Sequence, residues 1–140
     1  MKKVFFEWLE VDDAADFIIK ELKGIKIDLV AGIPRGGLIL AVILSHKLDV
    51  PLVLDPLLYS DKRILIVDDI SDTGKTFLSL LDKIDPRERA YRPITATIHF
   101  KPSSRFAPDI YYKETEDWIV YPWETPETSK IDYKESSVQL

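Results

Sequence analysis

The chain contains no cysteine, which excludes a disulfide framework and any thiolate metal or redox site. Histidine is almost as scarce. His46 and His99 are the only two, far apart and with no further ligands at metal spacing, so both are read as structural. Positive charge is also short: 19 Lys and Arg against 24 Asp and Glu leave a formal net charge of −5. That is the wrong sign for a protein that holds nucleic acid through bulk charge. Long apolar runs are missing too. The longest, Leu38 to Leu44, is roughly a third of the ~20 residues that cross a bilayer. Met1-Lys2-Lys3 is followed at once by Glu7 and Glu10, without the apolar stretch of a signal peptide. Repeats, low-complexity tracts and linkers are absent. The expectation is a soluble, cytoplasmic protein of one domain over its 140 residues, with neither nucleic acid nor membrane as partner.

What is present centres on Arg63 to Phe77, R-I-L-I-V-D-D-I-S-D-T-G-K-T-F. Ile64 to Val67 form a short apolar, mostly β-branched run, the pattern of a buried parallel strand. Two carboxylates, Asp68 and Asp69, follow where a sheet interior would not tolerate them unpaired. Ser71-Asp72-Thr73-Gly74-Lys75-Thr76 then leads into a helical pattern, Phe77, Leu78, Leu80, Leu81 and Ile84. A hydroxyl-rich turn at a helix start offers backbone N–H groups and a favourable dipole to an anion. Gly74 permits close backbone approach, and Thr73 and Thr76 add hydroxyls. A P-loop would need glycine five positions before Gly74, where Asp69 stands.

Along the chain, Val11, Ala14, Ala15, Ile18 and Leu22 recur at helical spacing, with Asp12 as N-cap and Gly24 as stop. Residues 27–33 read as a strand ending at Pro34, and Pro34-Arg35-Gly36-Gly37 forms a second candidate anion loop, with a fork donor and two glycines. Residues 38–48 predict a helix apolar almost all round, hence buried. Further strands are expected at 50–54, 94–100, 110–112 and 118–121. Strands alternating with helices predict an α/β fold, a parallel twisted sheet flanked by helices, followed by a polar tail. Both anion loops leave the carboxyl ends of strands, where such sheets bind ligands.

The 64–76 pattern resembles, nearly residue for residue, the phosphoribosyl-diphosphate (PRPP) motif of the type I phosphoribosyltransferases. Trp118-Ile119-Val120-Tyr121-Pro122-Trp123 is similar to a segment near the end of the bacterial xanthine-guanine members. The resemblance covers about residues 27–123 and implies one domain with a core at about 11–100 and a small C-terminal hood at about 101–125. It implies that Asp72 to Thr76 hold the 5-phosphate and that Asp68 and Asp69 hold the ribose hydroxyls and, directly or through water, Mg²⁺. It implies that Arg35, Gly36 and Gly37 grip pyrophosphate, with a non-proline cis peptide between Pro34 and Arg35. Asp72 is either the acceptor of the purine N7 proton or an N-cap. Lys101 would donate to a 6-oxo group, Trp118 would stack on the base or serve as a core aromatic, and Ile119 would offer backbone groups. Trp123 is assigned to packing.

The implied activity is transfer of a phosphoribosyl group from PRPP to a 6-oxopurine, giving a purine nucleotide and pyrophosphate. Family habit implies a homodimer or homotetramer. One departure stands out: only residues 55–62 lie between the 50–54 strand and the PRPP strand, where the family carries a long lid. A regulatory protein that binds PRPP or nucleotide without catalysis is the competing expectation.

Overall fold

The computed structural model describes residues 2–125, and the polar tail beyond them lies outside that range. The sheet predicted from the alternating pattern consists of β2 (Leu29–Gly32), β3 (Leu52–Val53), β4 (Ile64–Ser71), β5 (Ile94–Phe100) and β6 (Ile110–Glu114). Their order is β3-β2-β4-β5-β6, and every neighbouring pair is parallel. Parallel neighbours need crossovers; helix α2 (Gly36–Leu48) lies on that from β2 to β3 and helix α3 (Lys75–Asp82) on that from β4 to β5, while β5 reaches β6 through residues 101–109 without a helix. The chain runs outward from β2 to β3, then returns to place β4 on the other side of β2. That reversal puts the switch point between the carboxyl ends of β2 and β4, flanked by the loops at 34–37 and 72–74.

One face of the sheet carries α1 (Trp8–Glu21) and α2, through Val11, Ala14, Ile18, Leu40 and Leu44 against Leu65, Val67, Ala96 and Ile98. The other face presents Ala31, Ile33, Ile64 and Ile66 to α3, chiefly to Phe77. Both faces of central β4 are therefore covered, which explains its unbroken apolar run. Phe77 stacks on Phe106 at 4.9 Å, and burying such a ring contributes about 2–3 kcal/mol. Cover on this face is thin, leaving a cavity of about 540 Å³ between α3 and the carboxyl end of β2, lined by Ala31, Ile33 and Ile66.

Several boundaries differ from the pattern reading. The first helix starts at Trp8 and not at Asp12, with the Glu7 N–H donating to Glu10 Oε1 at 3.1 Å. Its first turn exposes Trp8 and Leu9, so no apolar periodicity announces it. Asp12 instead joins Asp16 in pairing with Lys47 of α2, each at 2.8 Å. Helix α2 is not buried all round: Gly36, Gly37, Leu40, Ala41 and Leu44 face the core, while Val42 is 43% exposed. Strand β4 does not stop at Val67; it continues through both carboxylates to Ser71.

The hood draws on both ends of the described chain. Strand β7 (Trp118–Val120) pairs in parallel with β1 (Lys3–Phe5), in the register Lys3↔Trp118 and Phe5↔Val120. Strand β6, inside the range expected for the hood, belongs to the main sheet. Among the described residues no helix is long and apolar enough to cross a membrane.

Candidate active site

The two acids sit deep at the sheet's carboxyl edge. Asp68 is 1% exposed and Asp69 6%. Such burial is tolerable because carboxylates can accept from nearby N–H groups. Asp68 Oδ1 accepts from the Asp69 N–H at 2.8 Å, and Asp69 Oδ1 from the Ile70 N–H at 2.8 Å. Both bonds hold the side chains back against their own strand.

Opposite them, the turn after β2 contains the expected cis peptide between Pro34 and Arg35. Arg35 is exposed at the N-cap of α2, and the glycines behind it touch the acids. A Cβ on Gly36 would lie 2.0 Å from Asp69 Oδ2, and one on Gly37 would lie 2.6 Å from the Val67 carbonyl oxygen. Glycine is thus required here by close packing between the two loops, and the proposed pyrophosphate loop and the acids form one contiguous wall.

The second wall is the turn at 72–74 and the start of α3. Gly74 has φ +88°, and a Cβ there would meet the Phe106 N at 2.6 Å. Its smallness serves the 104–106 segment as well as any ligand. That segment supports the turn from below: the Arg105 N–H donates to the Thr73 carbonyl at 3.0 Å, and the Ser71 hydroxyl to the Phe106 carbonyl at 2.8 Å. The Lys75 N–H donates to the Thr73 hydroxyl at 3.3 Å. Lys75 and Thr76 open the helix, with Thr76 half-buried.

Asp72 and Lys101 come together across this turn. Lys101 Nζ lies 3.2 Å from Asp72 Oδ1, with the lysine side chain 12% exposed and the aspartate 59%. The Lys101 N–H also donates to the Ser71 carbonyl at 3.1 Å, extending the β5 edge to the lip of the turn.

Trp118 and Ile119 occupy a different element, the small β1–β7 sheet. The Trp118 N–H donates to the Lys2 carbonyl and the Phe6 N–H to the Val120 carbonyl, both at 2.9 Å. Successive residues of a strand direct their backbone groups to opposite edges, so those of Ile119 point away from β1. Its side chain is in the core, and Trp118 is half-buried.

The chain matches the phosphoribosyl transferase domain family over residues 7–56 and 53–130. It belongs to the type I phosphoribosyltransferases. A xanthine-guanine phosphoribosyltransferase of Cereibacter sphaeroides is 35% identical over 119 residues, 68% of each chain. The crystal structure of a purine phosphoribosyltransferase from Pyrococcus horikoshii superposes with a TM-score of 0.80 at 37% identity, covering 89% of this chain and 96% of that one. A xanthine-guanine-hypoxanthine phosphoribosyltransferase of Helicobacter pylori has a TM-score of 0.75 at 18% identity, covering 87% of this chain and 92% of that one, which shows the shared fold.

As a phosphoribosyltransferase the chain has a small donor set for metal. Among the described residues no group of three or more His, Asp or Glu gathers around a common point. Asp68 and Asp69 are hard oxygen ligands packed against the glycine loop, a set that fits Mg²⁺ whose remaining shell comes from substrate and water.

Pattern reading missed two residues that touch this site from behind. His99 Nδ1 lies 2.8 Å from the Tyr121 hydroxyl, which donates to the Asp69 carbonyl at 3.1 Å. Tyr121 stands inside the Trp-Ile-Val-Tyr-Pro-Trp segment and His99 two residues before Lys101, but neither spacing signals their meeting. Burial, with Lys113 nearby, lowers the His99 pKa to about 4 despite the opposing pull of Asp69, so the ring is neutral. Burial raises the Tyr121 pKa well above 10, and Asp69 and Asp68 push it the same way, so its hydroxyl keeps its proton.

Proposed function

We propose that this phosphoribosyltransferase joins PRPP to a 6-oxopurine (hypoxanthine, guanine or xanthine), releasing pyrophosphate and a purine nucleoside monophosphate for purine salvage. The observation that carries the purine half is the Asp72–Lys101 pair, an acceptor beside a donor 3.2 Å apart at the lip of the phosphate turn. On a 6-oxopurine, N7 and O6 lie side by side on one edge. Lys101 donates to O6 while Asp72 takes the proton from N7. Trp118 lies against the face of the base, and Ile119 offers its outward backbone groups to the exocyclic substituent. The similarity to the Pyrococcus horikoshii and Cereibacter sphaeroides enzymes supports this reading.

The phosphoribosyl half uses the rest. The 72–76 turn holds the 5-phosphate; Asp68 and Asp69 hold the ribose hydroxyls; Arg35 and the two glycines hold pyrophosphate. Purine nitrogen attacks the ribose carbon as its bond to pyrophosphate oxygen breaks, and the buried carboxylates offset the positive charge that builds there. When bound through Asp68 and Asp69, Mg²⁺ supplies charge neutralisation for the leaving pyrophosphate. Action as one domain in the cytoplasm, as a homodimer or homotetramer, belongs to the same proposal.

The test is direct. Protein, PRPP and Mg²⁺ are mixed with hypoxanthine, guanine, xanthine or adenine, and nucleoside monophosphate is measured. Turnover with 6-oxopurines and not with adenine is expected; adenine turnover alone would overturn the assignment of Lys101. A second reading, a PRPP- or nucleotide-binding regulator, rests on the short 55–62 connection, which forms only a single 3₁₀ turn at Pro56–Leu58. PRPP binding without product would select it.

A further inference from the structure

The peptide that follows Asp69 is held by a group from outside the sheet. The β4–β5 register passes from Asp68↔Thr97 to Ile70↔His99, and at the intervening residue the carbonyl takes the Tyr121 hydroxyl at 3.1 Å. Because that hydroxyl donates to Asp69, it must accept from His99, which assigns the ring proton to Nδ1. The relay therefore has one direction: His99 Nδ1–H to Tyr121 Oη, then Tyr121 O–H to the Asp69 carbonyl.

Nothing about the relay is loose. Tyr121 is 2% exposed and His99 3%. Phe6 meets the His99 ring edge-on at 4.8 Å and the Tyr121 ring at 5.9 Å. The Tyr121 ring stacks on Trp123 at 5.0 Å, with the planes 2° apart, and its N–H donates to Glu124 Oε1 at 2.9 Å. Tyr121 is also the residue that follows β7, two positions from Ile119. One side chain thus fastens the strand assigned to the base to the residue assigned to the ribose.

We propose that Tyr121 and His99 are positioning residues for Asp69: the relay fixes the orientation of the Asp69–Ile70 peptide, and with it the Asp69 carboxylate, from the strand that carries the purine contacts. The inference rests on the function proposed above. The Asp69 carboxylate bonds the Ile70 N–H, the other end of the peptide whose carbonyl Tyr121 grips. Rotation of that peptide moves the carboxylate with it, and small misplacements of reacting groups are costly in rate.

The roles separate kinetically. Tyr121→Phe keeps the ring, its stacking and the course of β7, and removes only the hydroxyl. The expected result is a KM for PRPP raised and a kcat lowered, each by about 5- to 20-fold, with the KM for purine within about twofold of wild type. His99→Leu should match it, and the double variant should be no worse than either single one, since both break the same relay. His99→Asn places an amide N–H near the Nδ1 position and should recover most of the loss. PRPP affinity measured by calorimetry should follow the same order, and circular dichroism melts show which variants are folded.

A rise in purine KM with PRPP constants unchanged would make Tyr121 merely a support for β7 and overturn the inference. So would additive losses, or His99→Asn behaving as His99→Leu. Wild-type protein that turns over while Tyr121→Phe retains its PRPP constants overturns this inference alone. Wild-type protein that neither turns over nor binds PRPP overturns the functional reading and this inference with it.

Discussion

The residues proposed for ribose and 5-phosphate lie within one short run, Asp68 to Thr76, on a single strand, turn and helix start. Those proposed for the purine are scattered. Lys101 follows β5, Trp118 and Ile119 lie on β7, and the sheet that holds β7 is completed by Lys3–Phe5 at the other end of the chain. A contiguous site is set by local geometry, because strand end and helix start determine where the N–H groups point. A scattered one depends on long-range contacts, each of which must form before the next is useful. The phosphoribosyl half should therefore respond to small local changes in shape. The purine half should respond to changes in how the hood is tied down.

The largest expected effect falls where the halves meet. Asp72→Asn keeps shape and removes the proton acceptor, so kcat should drop about 10³-fold while PRPP affinity, measured by calorimetry, changes little. Equal losses in both would return Asp72 to the phosphoribosyl half alone.

Acid provides the next largest effect. The His99 pKa is about 4 in the folded chain against about 6.5 unfolded, since burial, with help from Lys113, disfavours the cation more than Asp69 favours it. The unfolded chain therefore binds the extra proton between those values. Stability is complete above about pH 6.5 and lost as pH falls toward 4, by about 3 kcal/mol in all. Denaturant titrations at pH 7 and pH 4.5 measure it, and His99→Asn should show a correspondingly smaller difference.

Gly36→Ala tests the local half. Its Cβ would fall 2.0 Å from Asp69 Oδ2, so the carboxylate must move. We expect kcat/KM for PRPP to fall about 10²-fold, with purine KM nearly unchanged. The smallest effect is expected from Trp118→Ala, which should raise the purine KM about tenfold through lost stacking and leave PRPP constants intact. If PRPP binding weakened as much, the division into two halves would fail.

The contrast also explains what could be read in advance. Ile64 to Val67, the paired acids and Gly74 announce a strand, a turn and a helix start, because apolar period, charge and glycine are local signals. Even so, β4 runs on to Ser71, since the carboxylates bond the following N–H groups and remain in the strand. The start of α1 was hidden because Trp8 and Leu9 face outward. Strand β1 was hidden because three residues carry no period, and its partner lies over a hundred positions away.

By itself the sequence determined the α/β alternation, the anion turn beside two acids and the exclusion of thiol chemistry. The first two are built from signals within one or two turns of chain, and the third follows from composition alone. Only the tertiary structure decided that Gly36 abuts Asp69, that Lys101 reaches Asp72, and that Tyr121 joins His99 to the Asp69 carbonyl. Those meetings are set by strand order and by which loops share an edge of the sheet, and no spacing along the chain encodes a distance across it.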